Sequence, residues 1–334
     1  MNNTKILMPF IPGITINVTD RCNFKCKYCP PYGENLCKGL CEYDSDNIIY
    51  IINLAKKHGV QQIRFTGGEP FLEPNRLMRF LDACDDSFKR IVVNTNGSLI
   101  RQNIEWLDRF KTKIVLKFSL DTINKEKFNT VTQTNEFDVV YKNIILTKRR
   151  NYNVEINTVL FNQSFREVCD LIDFSCKNRI NTKLLTISSF YGFVNKGKPS
   201  FDIERLTAYL EGLSSQFTSE KLVGERGTDM LVYLINDTKI IIFDSATTDS
   251  LTPNKAYFPY CEAYCNQYPC DHGAFSISIS TDGIMSICRA KKELGENIFF
   301  CSKEHVNNSF ISQLKQFKNC FSINLNQIRR IKNV

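Results

Sequence analysis

A chain of 334 residues, 43% of them hydrophobic, is long enough to bury a large core, and no stretch approaches the roughly 18 to 20 consecutive apolar residues of a membrane-spanning helix. The formal net charge is +8, but Lys and Arg are spread along the whole chain without a block of like charge. No nucleic-acid or membrane partner is therefore expected, and an N-terminus without a basic start and a long apolar run points to the cytoplasm.

Fourteen cysteines would make a disulfide framework in a short secreted chain. In a chain able to fold without staples and lacking a signal peptide, metal binding explains them better. Cys22, Cys26, Cys29, Cys37 and Cys41 crowd one end, and Cys261, Cys265, Cys270 and Cys288 crowd the other, so two metal sites are expected.

From Gly13 to about Ser189, short β-rich runs alternate with longer helical stretches, the pattern of consecutive βα units on a parallel sheet. The expected strands are Ile14–Val18, Gln62–Phe65, Arg90–Asn94, Ile114–Leu120, Val154–Leu160 and Lys183–Ile187. A full eightfold barrel takes about 250 residues, so six units predict an α/β fold built as a partial (β/α)6 barrel of the TIM type. Ile48, Ile51, Ile52 and Ala55 recur at helical spacing and are expected in the core. The expected organisation is a barrel over residues 1–200, a linking segment over 201–255, and a C-terminal region over 256–334. Lys198–Phe201 and Asp249–Lys255 are the linker candidates, by their Pro, Ser, Thr and Asn content.

The run Thr19-Asp20-Arg21-Cys22-Asn23-Phe24-Lys25-Cys26-Lys27-Tyr28-Cys29 follows the first strand directly, which puts three thiols at the C-terminal end of a barrel strand, where such folds place chemistry. Thiolates are soft ligands for iron–sulfur clusters or zinc. Three without a committed fourth would leave one metal position open, whereas a zinc knuckle wants four.

This C-x3-C-x2-C spacing, with an aromatic residue before the last cysteine, resembles the signature of the radical S-adenosylmethionine (SAM) superfamily. Gly67-Gly68-Glu69-Pro70 resembles the turn that holds the methionine end of SAM. Thr95-Asn96-Gly97, Ser119-Leu120-Asp121 and Asn157-Thr158-Val159 follow on the next three strands in the order of that family. The resemblance implies a 4Fe-4S cluster on Cys22, Cys26 and Cys29, with SAM chelating the open iron. It also implies that Gly67 and Gly68 let backbone approach the ligand, that Glu69 accepts from the SAM ammonium, and that Tyr28 leans on the adenine. Strand alternation turns Ser119 the same way as Asp121, and Asn157 the same way as Glu155, so both sets can face the interior where SAM's ribose and carboxylate would lie. Asn96 and Pro70 complete the implied cofactor set.

Near the C-terminus, Cys261-x3-Cys265-x4-Cys270 precedes an alternating strand, an Asp282-Gly283 turn and a second strand ending at Cys288. The run reads as a hairpin bringing Cys288 back beside Cys270. The spacing of Cys270, Gly283 and Cys288 resembles the auxiliary-cluster extension called twitch or SPASM, which implies a second 4Fe-4S cluster held by three or all four of these cysteines. Cys301 and Cys320 are possible replacements; Cys84, Cys169 and Cys176 sit in helical stretches and are expected in the core. Cys37 and Cys41 fall in a loop that is either ordinary, a cap on the site, or metal-binding.

Within the superfamily the chain is most similar to the GTP 3′,8-cyclase family of molybdenum-cofactor biosynthesis, through Val18–Phe24, Arg64–Pro70 and the Thr281-Asp282-Gly283 turn. That family carries basic residues for a triphosphate where this chain has Thr15, Glu73, Glu155, Ser276 and Ser278. Loss of charge-assisted bonds, and repulsion at the two glutamates, argue against GTP. Lys117 shares the inward parity of Ser119 and Asp121; it can meet an anionic substrate or pair with Asp121. Arg64, inward with Thr66, can play the same part, although an arginine there also appears in the resembling family; Glu155 is the third candidate substrate residue.

The expected function is thus reductive SAM cleavage and hydrogen abstraction from a small molecule, a nucleoside, nucleotide or natural-product intermediate, fed by an electron donor such as flavodoxin or ferredoxin. Peptide maturation, GTP cyclisation and a non-catalytic iron–sulfur role are the alternatives. An N-terminal peptide-recognition module does not fit before a strand beginning at Ile14.

Overall fold

The computed structural model describes residues 13–29, 42–160, 162–186, 201–214, 216–220, 230–243, 276–287 and 295–316. The βα alternation is realised as β1 (Gly13–Thr19), α1 (Ser45–Lys57), β2 (Gln62–Gly67), α2 (Pro74–Ala83), β3 (Arg90–Thr95), α3 (Ile100–Leu107), β4 (Ile114–Ser119), α4 (Lys125–Thr132), α5 (Phe137–Arg149), β5 (Asn153–Leu160), α6 (Phe165–Lys177) and β6 (Asn181–Thr186). These six strands lie side by side in chain order, every neighbouring pair parallel. The last of them begins at Asn181 rather than Lys183, and Ile187 lies outside the described residues.

The segment read as linking supplies α7 (Ile203–Leu213) and three more strands, β7 (Gln216–Glu220), β8 (Met230–Ile235) and β9 (Thr238–Phe243). β9 joins β6 in parallel, and β8 and β7 add antiparallel strands beyond it. The expected C-terminal hairpin is β10 (Ile277–Ile279) and β11 (Ile284–Ser286), followed by β12 (Glu296–Asn297) and a helix, α8, over residues 303–316. What patterning did not show is where the hairpin docks: β10 pairs in parallel with β1, Ile14 opposite Ile277. Among the described residues the result is one open sheet of 12 strands, wider than the six expected, with the β1–β6 barrel at its centre.

Period-two alternation divides the barrel strands into two faces. Ile14, Ile16 and Val18, Ile63 and Phe65, Ile91 and Val93, Ile114, Leu116 and Phe118, Val154 and Ile156 all belong to the core beneath the helices, none more than 3% exposed. Ile48, Ile51, Ile52 and Ala55 of α1 pack there as their spacing predicts, each fully buried. The intervening residues are a different, mostly polar set: Thr15 and Asn17, Arg64 and Thr66, Val92 and Asn94, Val115, Lys117 and Ser119, Glu155 and Asn157. An apolar shell around a polar interior is what a barrel needs in order to bind rather than merely fold.

Helix starts are capped as the sequence chemistry requires. Asp44 accepts from Asn47 N, Asn124 from Lys127 N and Asp202 from Arg205 N, while Ser164 and Glu167 form a reciprocal capping box. Phe201, at the end of one linker candidate, is buried and stacks on Phe165 at 6.4 Å; the rest of both candidates lies outside the described residues. Cys84 and Cys169 are buried and Cys176 partly so, in keeping with core roles.

Candidate active site

The thiol loop, residues 20–29, leaves the C-terminal end of β1 and is tied to its surroundings by an ion pair between Arg21 and Glu73 and at four further places. The first is the Gly-Gly turn after β2: Gly68 N donates to Thr19 O at 2.7 Å and Glu69 N to Arg21 O at 2.8 Å. A Cβ on Gly67 would overlap the Thr19 carbonyl oxygen, and one on Gly68 the Arg21 carbonyl oxygen; Gly67 also has φ +122°. The clearance these glycines provide is therefore filled by the chain's own backbone, so the turn clamps the start of the thiol loop.

The second tie is polar. Asn96 Nδ2 donates to Asn23 Oδ1 at 2.8 Å and lies 3.9 Å from Cys22 Sγ, while Asn23 Nδ2 donates to Ser98 Oγ at 2.9 Å. Asn96 Oδ1 in turn accepts from Ser98 N and Oγ. The third is the end of α4, where Lys25 N and Lys27 N donate to Thr132 O and Val131 O at 3.1 and 2.9 Å; the preceding Phe24 is buried edge-on against Phe128. At the fourth, Tyr28 Oη donates to Asp121 Oδ2 at 2.6 Å, and Asp121 Oδ1 accepts from Val159 N at 2.8 Å. Tyr28 and Asp121, each assigned separately to SAM, are thus partners of one another.

Glu69 is fully buried and its carboxylate gathers three donors: Phe71 N at 3.1 Å and Thr95 Oγ1 at 2.8 Å on Oε1, and Asn96 N at 2.6 Å on Oε2. One residue thereby fixes the end of β3 to the turn after β2, with Pro70 opening a short 3-10 turn behind it. Burial pushes the Glu69 carboxyl up to about 7 against the pull of these bonds. Asp121 is likewise pushed up to about 6 by burial, with Tyr28 and Val159 opposing.

Cys22, Cys26 and Cys29 take part in no disulfide. Burial raises the Cys22 and Cys26 pKa values, Cys26 to about 12, with Asp121 and then the other two thiols adding to the rise. They share one loop and act on one another, although among the described residues no three Cys, His, Asp or Glu side chains stand close enough to hold a metal ion as they are. The donor set still fits an iron–sulfur cluster. It is three soft thiols on one short loop with a backbone N–H, that of Phe24, 3.4 Å from Cys22 Sγ. Asn157 adds to the fit for SAM, since its inward Oδ1 is buried without a hydrogen-bond partner and the facing Ser119 is exposed toward the barrel mouth.

Lower in the barrel, Lys117 Nζ lies 2.9 Å from Glu155 Oε2, so its partner is Glu155 and not Asp121. Asp121, beyond the end of β4, is taken up by Tyr28 and Val159, whereas Glu155 is directly opposite Lys117 in the sheet register. Arg90 Nη2 reaches the other oxygen of Glu155 at 2.5 Å. Burial pulls the Lys117 pKa down despite Glu155; the two cations outweigh burial and hold Glu155 below the usual carboxylate range. Arg64 lies close enough to act on Lys117 from β2. Sequence reasoning missed Arg90, Asn94, Asn23 and Ser98; the inward parity of Arg90 with Asn94 was the available signal for the first two.

Of the second cysteine set, Cys261, Cys265, Cys270 and Cys288 lie outside the described residues, as do Cys37, Cys41 and Cys320. Cys301 is half-buried beside β12, its Sγ donating to Asn297 O and Phe299 O. No helix among the described residues is long and apolar enough to cross a membrane.

Comparison with known proteins matches residues 16–175 to the radical SAM superfamily. The GTP 3′,8-cyclase of Synechocystis is 23% identical over 86% of this chain and 81% of its own length. Molybdenum cofactor biosynthesis protein 1 of Dictyostelium discoideum is 30% identical over 54% of this chain but only 29% of its own length, and the GTP 3′,8-cyclase of Clostridium perfringens is 28% identical over 53% and 55%. The chain thus spans about half or less of several curated relatives. The fold is that of Streptococcus suis SuiB bound to S-adenosylmethionine, with TM-score 0.63 and 19% identity over 89% of this chain and 65% of SuiB. The βα barrel and thiol loop, within residues 16–175, thus form a radical SAM domain.

Proposed function

We propose that the chain holds a 4Fe-4S cluster on Cys22, Cys26 and Cys29 and reductively cleaves SAM to abstract hydrogen from a small-molecule substrate other than GTP. The observation that carries this reading is the way the thiol loop is held at the barrel mouth between two buried carboxylates, Glu69 on one side and Asp121 on the other. When bound, the cluster supplies the electron that splits SAM into methionine and a 5′-deoxyadenosyl radical. The chain's own groups do the rest. Glu69 has a lone pair on Oε2 beyond its three donors for the SAM ammonium, Asn157 Oδ1 offers an unmet acceptor inside the barrel, and the apolar shell keeps water from the radical.

The case against GTP rests on what occupies the places where the cyclase family is basic. Thr15 and Ser276 hydrogen-bond each other at 2.8 Å, Ser278 sits opposite Thr15, and Glu73 and Glu155 are carboxylates engaged by Arg21 and by Lys117 and Arg90. Neutral and acidic groups there give a triphosphate little to hold. A second 4Fe-4S cluster on Cys261, Cys265, Cys270 and Cys288 is part of the proposal, as is a flavodoxin or ferredoxin donor. Its support is the hairpin lying between Cys270 and Cys288, which is fixed to β1.

The test is anaerobic reconstitution, reduction with dithionite, and measurement of 5′-deoxyadenosine from SAM. Formation in the wild type and its loss when Cys22, Cys26 and Cys29 are all changed to Ala is expected, with no cyclised product from GTP. Deuterated candidate substrates identify the true one by deuterium transfer into 5′-deoxyadenosine.

A further inference from the structure

Three ionisable side chains from three adjacent strands meet inside the barrel: Arg90 on β3, Lys117 on β4 and Glu155 on β5. Two cations on one carboxylate leave this trio with a net single positive charge. Lys117 is 11% exposed and Glu155 14%, while Arg90 is 35% exposed, so it is the lysine's charge that is held largely out of water, where it is costly unless partners answer it. An ammonium has three N–H donors; among the described residues, Glu155 is the one partner of Lys117 Nζ.

Two buried acceptors lie beside this excess of donors. Asn94 is directly across from Lys117 in the β3–β4 register, and Asn157 is one inward step beyond Glu155 on β5. The Oδ1 atom of each has no hydrogen-bond partner, although Asn94 Nδ2 donates to Thr66 Oγ1 at 3.2 Å. Buried polar atoms are rarely left unmet in a structure that has nothing to receive. The pattern is complementary to a ligand that brings one negative charge and, next to it, a hydrogen-bond donor.

We propose that Lys117, Arg90 and Glu155 anchor the substrate, and that they select a single carboxylate carried beside an N–H or O–H group, the donor going to Asn94 Oδ1 while Asn157 Oδ1 is left to SAM. The inference deepens the proposed radical SAM function, on which it rests for the substrate's presence in the barrel. A carboxylate matches the net charge of the trio, and Arg64 of β2, which also acts on Lys117, adds a cation beside it. A di- or triphosphate does not, because Glu155 would repel every further negative charge across a poorly solvated interior. Glu155 also sets the affinity: it holds Lys117 in place and competes with the incoming anion for it.

The probes are N-acetylglycine, its neutral counterpart N-acetylglycinamide, and inorganic pyrophosphate, titrated by ligand-detected NMR into the reconstituted protein saturated with SAM. The acid is expected to bind roughly ten- to a hundredfold more tightly than the amide, the worth of a charge-assisted bond. Lys117→Met should erase that preference, and Glu155→Gln, by freeing both cations, should increase it. Equal binding of acid and amide, an unchanged preference in Lys117→Met, or weaker acid binding in Glu155→Gln overturns the proposal. Tighter binding of pyrophosphate than of the acid assigns the site to phosphates instead, and loss of SAM affinity in Lys117→Met assigns it to SAM. Basal 5′-deoxyadenosine formation in the same wild-type samples separates the two readings: its absence with selective acid binding removes the radical function alone, and its presence without selective binding removes the carboxylate anchor alone.

Discussion

Tyr28 Oη and Asp121 Oδ2 are 2.6 Å apart, and this bond joins the thiol loop to the β4–β5 side of the barrel. Asp121 is 5% exposed and has Val159 N on its other oxygen, so removing the tyrosine hydroxyl leaves a buried carboxylate oxygen without its donor. Tyr28→Phe is expected to lower stability by about 1–3 kcal/mol. It is also expected to reduce the iron retained after reconstitution, because the loop loses one of its ties to the barrel. Denaturant unfolding and iron content measured together check this; a variant with full iron content and unchanged stability would show that the bond contributes nothing to the loop.

The two glycines of the turn give a sharper contrast. Gly68→Ala drives a Cβ into the Arg21 carbonyl oxygen, and Gly67→Ala meets the Thr19 carbonyl oxygen in a left-handed backbone besides. Both are expected to displace the thiol loop and cut iron uptake severely. Gly59→Ala is the control, with φ +74° but nothing within 4 Å of the added methyl. It should cost only the left-handed strain of about 1 kcal/mol and leave iron uptake intact. Iron content across the three variants decides the matter, and parity among them would mean that the close approach does not position the loop.

Much of this was legible beforehand. Period-two alternation in β1–β5 separated Ile14, Phe65, Leu116 and Ile156 from the inward polar set, and it placed Lys117 and Glu155 on one face. It could not show which inward groups would touch. Lys117 and Asp121 share a strand direction, yet Glu155 lies across the register and takes the lysine. Likewise, glycine spacing announced a close approach, but whether ligand or backbone fills the space depends on the path of Thr19–Arg21, which is tertiary. The docking of β10 on β1 was hidden for the same reason, since a three-residue strand carries no record of its neighbour.

Glu69 should give stability a measurable pH dependence. Its folded pKa is raised from 4.5 to about 7 by burial, so between those values the folded state binds more protons than the unfolded state. Stability is then expected to fall as pH rises through that window, the sign opposite to that of a salt-bridged carboxylate. Glu69→Gln should reduce this slope, leaving below about pH 6 the part contributed by Asp121, whose pKa burial also raises to about 6. Because an amide nitrogen would face Asn96 N–H, it should also cost about 1–3 kcal/mol at any pH. Urea denaturation between pH 4.5 and 7.5 on both proteins measures slope and offset, and a wild-type slope of the opposite sign would mean that Glu69 is ionised throughout.

The proposed pair of clusters predicts how iron divides between the two ends of the chain. Each 4Fe-4S cluster holds four irons, so the reconstituted wild type is expected to approach eight. Changing Cys22, Cys26 and Cys29 to Ala should leave about four and abolish SAM cleavage, since no other described residues offer three thiols on one loop. Changing Cys261, Cys265, Cys270 and Cys288 to Ala should also leave about four, but with 5′-deoxyadenosine formation from SAM alone preserved, because the thiol loop has its own ties to Gly68, Asn96, Thr132 and Asp121. Iron assay, electron paramagnetic resonance of the reduced proteins and product analysis read the three variables separately. Four irons in the wild type would remove the second cluster, and cleavage surviving in the first variant would move the radical chemistry away from the β1 loop altogether.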